Sequence, residues 1–147
     1  MLLIMCYSGW RISEYIGLEV NLQKKYFMGG IKTEAGKGRI VPIHSGILPL
    51  VERRISKYGK LLPCNDKDFR KQMDELLNQL GIPGNPKHTP HDCRHTFSML
   101  CEKYEVKEND RKRMMGHSFK ADITNKVYGH RDIEDLRKEL EKITIDL

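Results

Sequence analysis

Between Val20 and Ile43 the chain breaks into short β-like runs punctuated by glycine. Tyr26-Phe27-Met28 precedes Gly29-Gly30, Ile31-Lys32-Thr33 follows, and Gly36-Lys37-Gly38 leads into Arg39-Ile40-Val41-Pro42. Aromatic and β-branched residues suit a pleated strand, and glycines between such runs supply the turn conformations that reverse the chain. The segment reads as a small antiparallel sheet with a tight hairpin. Helical patterns flank it on both sides, so the expected fold class is α+β, mainly helical, with a small antiparallel β-sheet.

Leu2, Leu3, Ile4 and Met5 begin without a capping signal, as the tail of a core helix would. After a Ser8-Gly9 break, Arg11 to Leu18 has helical spacing, with Ile12, Tyr15 and Ile16 on one side. Ser45 to Tyr58 and Asp66 to Leu80 read as scaffold helices. The second has Asp66 as N-cap, an apolar stripe of Phe69, Met73, Leu76, Leu77 and Leu80, and Gly81 as its stop. The Pro- and Gly-rich stretch from Gly81 to Pro90 is a loop that ends on Thr89, an N-cap, with Pro90 at the first helical position. Lys107 to Met115 forms a short basic helix stopped by Gly116. Asp132 to Ile143 carries Ile133, Leu136, Leu140 and Ile143 along one stripe, which needs an apolar surface on its own domain or on another subunit.

The chain's 147 residues suit one domain. A net charge of +6 favours a polyanionic partner, nucleic acid first, although a merely basic surface accounts for the charge equally well. Cys6, Cys64, Cys93 and Cys101 form no CxxC pair, and with no secretory leader they read as reduced thiols of a cytoplasmic protein. His88, His91, Cys93, His95 and Cys101 are zinc-ligand types, but their spacing matches no usual paired knuckle. The apolar opening is too short to span a bilayer.

Several side chains carry chemistry. Arg11 and Glu14 can meet at i, i+3, either as a supported phosphate fork or as a surface ion pair. His91 and Arg94 lie one turn apart at a helix start, which itself favours anions; an incidental histidine on a capped helix is the bland alternative. His117, in a turn after a helix, can donate to a phosphate oxygen. Lys32 or Lys37 on the hairpin can protonate a leaving alkoxide, or be a solvated turn residue. Tyr128 sits between a polar stretch and Gly129-His130, an accessible setting, although a lone tyrosine is more often packing. A phenol titrates near 10 unperturbed, so a nucleophilic tyrosine needs a base and electropositive surroundings. The histidines and arginines supply both.

Five motifs occur in a telling order: Ser8-Gly9-Trp10-Arg11-Ile12-Ser13-Glu14, Lys32-Thr33 with Arg39-Ile40-Val41-Pro42, His91-Asp92-Cys93-Arg94-His95-Thr96, Met115-Gly116-His117-Ser118, and Val127-Tyr128. In this order and at these distances the chain resembles the tyrosine recombinases, the phage integrase family, over nearly its whole length. The resemblance implies a helical catalytic domain over residues 1–147, the amino-terminal DNA-clamping domain and first helices of such proteins lying outside it. It makes Tyr128 the nucleophile that joins the 3′-phosphate of a cleaved DNA strand, and Arg11 and Arg94 the clamp on the scissile phosphate. His91 becomes the general base, His117 a donor to a non-bridging oxygen, Lys32 the acid for the leaving 5′-oxygen, and Glu14 a supporting residue. Because the phosphotyrosine conserves the bond energy, no cofactor, metal or ATP is implied. The implied partners are double-stranded DNA and other recombinase subunits, in a tetrameric synaptic complex held through the Ile133 to Ile143 helix.

The interval from His117 to Tyr128 is slightly longer than the family's usual one, which bears on the tyrosine's reach. Three readings follow: a recombinase from a phage or conjugative transposon, a type IB topoisomerase using similar tyrosine chemistry, and a catalytically silent DNA-binding remnant. The His91 and Arg94 pairing and the Gly116-His117-Ser118 turn favour the first.

Overall fold

Phe27 and Val41 face each other on the inner side of a three-stranded antiparallel sheet, both fully buried. The sheet comprises β1 (Glu19–Asn21), β2 (Tyr26–Gly29) and β3 (Arg39–Pro42) in that order, as seen in a computed structural model that describes residues 1–30, 37–82, 84, 86–117 and 132–145. Val20 pairs with Phe27, and Gly29 with Arg39. The expected Ile31-Lys32-Thr33 run lies outside the described residues. Successive strand residues alternate faces, so Arg39 and Val41 point inward while Ile40 stays 40 % exposed.

The helices are α1 (Leu2–Cys6), α2 (Ile12–Tyr15), α3 (Leu48–Tyr58), α4 (Asp66–Gln79), α5 (Pro90–Lys103), α6 (Glu108–Met115) and α7 (Ile133–Leu140), among the described residues. α1 packs on α5, which buries Cys93, Phe97 and Cys101 at helical spacing. Together with Trp10, Tyr15, Ile43, Ile47 and Met114 they belong to one buried apolar cluster.

Four local expectations are corrected. The helix expected over Arg11 to Leu18 is a single turn, and Ile16 is exposed rather than sharing the buried side with Tyr15. Ser45–Ile47 is a 3-10 turn, and the α-helix begins at Leu48, where Pro49 fits the first turn. Asn65, not Asp66, caps α4: its extended backbone lets Oδ1 accept from the Asp68 N–H at 2.9 Å, while Asp66 opens the helix with its charge at the positive dipole end. Of the α4 stripe only Phe69, Met73 and Leu77 pack on the core; Leu76 and Leu80 are exposed.

α7 decides where the final stripe docks. α7 packs on the chain's own β3 and α6, and Leu136, Leu140 and the following Ile143 are buried. His44 Nε2 bonds the Ile143 carbonyl at 2.7 Å, and Glu141 accepts from Ser45 N at 2.7 Å and Ser45 Oγ at 2.6 Å. The stripe is thus satisfied within one chain. Its own domain is one of the two surfaces the sequence left open for Ile133 to Ile143. Among the described residues no helix is long and apolar enough to cross a membrane.

Candidate active site

The loop before α5 delivers its side chains through a capped start. Thr89 adopts an extended backbone, Pro90 occupies the first turn, and Asp92 folds back so that Oδ2 accepts from the Thr89 N–H at 2.8 Å. This orientation leaves His91 exposed and turns Arg94 inward, to 2 % exposure.

Arg94 joins three segments. Its Nη1 donates to the Gly9 carbonyl, its Nη2 to the Met115 carbonyl at 2.7 Å, and Nη2 also meets His117 Nε2 at 3.0 Å. Gly9 makes this possible because its φ is +67° and the Phe97 ring fills the space a Cβ would need. Met115 is the last residue of α6, whose terminal carbonyls have no partners within the helix and carry the negative end of its dipole. Gly116 closes α6 in the left-handed conformation, and the His117 N–H returns to the Lys112 carbonyl at 2.9 Å, so His117 projects beside Arg94.

Arg94 is therefore paired with carbonyl dipoles rather than with a carboxylate. Burial, then Arg11 and Arg39, lower its pKa to about 10. It stays protonated at neutral pH, and Glu14 is the carboxylate that opposes the three neighbouring guanidiniums. Such an excess of fixed positive charge suits an anion.

Glu14 departs from expectation. Its side chain, 1 % exposed, accepts from Arg39 Nη1 at 2.8 Å and Nη2 at 2.9 Å, a bidentate pair, and from the Arg11 backbone N–H at 2.8 Å. Arg11 Nη1 lies 3.9 Å from Oε1, beyond hydrogen-bond reach. Glu14 thus holds the Arg11 backbone rather than its fork. Burial pushes the Glu14 pKa up, but Arg39 and the Arg11 N–H outweigh it and leave a net lowering. Arg39 also stacks its guanidinium 3.7 Å from the Trp10 ring centre and donates Nε–H to the Met114 carbonyl at 3.1 Å. The sequence places Arg39 in a strand and in the Arg39 to Pro42 motif, with no role at the site. The legible signal was period-two alternation, which sends Arg39 inward while Ile40 faces out.

Both histidines are biased toward the neutral ring. Burial lowers the His91 pKa, with His95, Arg94 and Arg11 acting in the same direction. Burial lowers that of His117 too, followed by Arg94 and Arg11. Arg11, His91, Arg94 and His117 therefore lie within one electrostatic neighbourhood. Tyr15 is an unsuitable nucleophile: fully buried and hydrogen-bonded to Ser8 Oγ at 2.6 Å, it has its pKa pushed far up by burial. Lys32 and Tyr128 lie outside the described residues, and Lys37 lies within them, in the turn before β3. The four cysteines are free thiols, and among the described residues no group of three or more His, Cys, Asp or Glu side chains is arranged to hold a metal ion.

A groove of about 670 Å³ between α1, α3 and α4 is lined by Leu3, Leu50, Tyr58, Phe69 and Met73 among others, and none of these candidate side chains reaches it. His91 and His117 are instead exposed at the surface.

The sequence model of the phage integrase family matches residues 1–135, which include every motif named above. The chain belongs to the phage integrase family. No curated protein and no solved structure matches it. For an integrase-family chain, DNA recombination is the general activity and DNA the general partner. A surface cluster suits such a partner better than a closed pocket does, because a duplex backbone must be met from outside.

Proposed function

We propose that this integrase-family chain is the catalytic domain of a site-specific recombinase, cleaving and rejoining DNA through a 3′-phosphotyrosine at Tyr128. The observation that carries this reading is the buried Arg94 fork set 3.0 Å from His117 Nε2, with Arg11 close enough in charge to lower the pKa of both His91 and His117. Arg11 and Arg94 stabilise charge that develops on the non-bridging oxygens during attack. His91, kept neutral by its surroundings, takes the tyrosine proton and returns it on religation. His117 donates to a non-bridging oxygen, and Lys32 protonates the 5′-oxygen as the P–O bond breaks. The phosphotyrosine bond retains the energy of the broken diester, so a second 5′-hydroxyl reseals the strand without ATP or metal. Integration or excision of a phage or conjugative transposon is the setting that fits this chemistry.

The test is covalent trapping with EDTA at low salt. The substrate is a nicked duplex from the ends of the element that carries the coding sequence. An adduct on a denaturing gel with wild type and none with Tyr128→Phe supports the reading. An adduct that survives Tyr128→Phe, or none from wild type joined to a DNA-clamping domain, overturns it. Relaxation of supercoils without exchange between duplexes reassigns the chain to topoisomerase chemistry.

A further inference from the structure

We infer that Arg39 is a positioning residue that keeps the Arg11 guanidinium available for phosphate by occupying Glu14, an inference that rests on the recombinase reading. At i, i+3 on one helical turn, Glu14 is the local partner of Arg11. A carboxylate this buried requires a cation, and without a competitor the nearest is the Arg11 fork, 3.9 Å away. That pairing would neutralise the clamp.

Arg39 wins the competition for three reasons. Its fork meets both carboxylate oxygens, at 2.8 and 2.9 Å, whereas the Arg11 fork stands off at 3.9 Å, outside hydrogen-bond range. Its side chain is only 6 % exposed against 26 % for Arg11, so solvent screens its attraction to Glu14 less. Its place is also set independently of Glu14, by the Trp10 ring at 3.7 Å, by the Met114 carbonyl at 3.1 Å and by β3 itself. A preorganised guanidinium loses little further freedom on pairing, whereas the more exposed Arg11 would have to be ordered. Glu14 meanwhile keeps its bond to the Arg11 backbone N–H. The base of the Arg11 side chain is therefore anchored while its charged end is left to solvent and phosphate.

The geometry makes Arg39 act through Arg11, and a double-mutant cycle reads that directly. Wild type, R39M, R11A, R11A/R39M, E14Q and E14Q/R39M are compared in cleavage of the nicked duplex and in binding of random-sequence duplex DNA across a salt series. R39M should lose about 10²-fold in cleavage, the scale of losing one oxyanion donor. Its plot of log affinity against log salt should flatten by about one, the loss of one phosphate contact. Adding R11A to R39M should cost less than about threefold more, since the contact is already gone. E14Q/R39M should return to within about threefold of E14Q alone, because a neutral amide no longer draws Arg11 away. Thermal unfolding accompanies every variant, and if R39M is unfolded at the assay temperature, R39K takes its place, with a smaller loss and the same rescue. Losses of R39M and R11A that multiply in full, or no rescue by E14Q, overturn the inference and leave the recombinase reading standing. A wild type joined to a DNA-clamping domain that still forms no adduct, while the binding cycle shows non-additivity, sinks the recombinase reading and leaves the Arg39 to Arg11 coupling in place.

Discussion

Arg94 Nη2 lies 3.0 Å from His117 Nε2. A guanidinium donates only, so the ring nitrogen that faces it carries a lone pair, and the proton of the neutral imidazole sits on Nδ1. The donor that His117 offers a phosphate in this arrangement is thus Nδ1–H. Burial, Arg94 and Arg11 all disfavour a second proton.

The tautomer can be measured. Long-range 1H–15N spectra near neutral pH should show His117 as the Nδ1–H form, with a titration midpoint below its ordinary 6.5. Arg94→Met should move the midpoint up toward that value by removing the nearest positive charge. A doubly protonated ring at pH 7 would contradict the assignment.

Arg94→Lys keeps a charge but not the planar fork. One ammonium on a flexible stem does not reproduce the guanidinium's fixed bonds to the Gly9 and Met115 carbonyls and to His117. Cleavage by the phosphotyrosine assay should fall about 10²-fold or more, the scale of a lost oxyanion donor. Wild-type rates in the lysine variant would show that charge alone suffices.

Gly9→Ala should be severe. The position has φ +67°, and a Cβ there would stand 2.4 Å from Phe97 Cδ1 in the core. Left-handed strain alone costs roughly 1–3 kcal/mol, and displacing a fully buried ring adds to it, so urea denaturation should show a loss above about 3 kcal/mol. Because the Gly9 carbonyl accepts from Arg94, any folded remainder should also cleave poorly. A loss below about 1 kcal/mol would mean that Phe97 moves freely, at odds with close packing.

Glu139 ties α7 to the start of α6. Its carboxylate accepts from Lys107 N at 3.0 Å at the helix start and from Lys142 Nζ at 2.8 Å, with Lys107 Nζ at 3.3 Å. Burial pushes its pKa up, but these partners prevail and lower it from 4.5 to about 2. A depressed carboxyl contributes its stability fully above the unfolded value and loses it as pH falls through the folded one, here between 4.5 and about 2. Glu139→Gln should cost about 1–2 kcal/mol at pH 7, in the range of lost caps and charge-assisted bonds. It should also flatten the stability curve across that acid window. An unchanged acid profile would place the pH sensitivity elsewhere.

Much of the scaffold was legible because it is local. Thr89, Pro90 and Asp92 specify the start of α5 within four residues, and Gly116 its counterpart at the end of α6, so His91 and His117 could be placed at helix ends from sequence alone. Glycine-punctuated runs likewise specified β2 and β3. The errors fell where burial decides. Ile16 and Leu80 fit helical stripes by spacing yet remain exposed, because spacing alone does not say which side of a helix a neighbour will cover. Asn65 and Asp66 are both acceptable caps by type, and backbone angle chose between them.

The sequence by itself determined the order of the chemical groups, the capped start of α5 and the glycine stop of α6, and the family, since each depends on identity and short spacing. Only the tertiary structure decided which arginine takes the Glu14 carboxylate and which surface takes the α7 stripe. Arg39 is 25 residues from Glu14, and it outranks the neighbour Arg11 only because β3 and Trp10 hold its fork rigid in a buried place. Leu136 and Leu140 needed an apolar surface, and the choice of their own β3 and α6 followed from where the folded chain left one uncovered. Charge pairing and apolar docking depend on desolvation and distance in three dimensions, which short-range pattern does not encode.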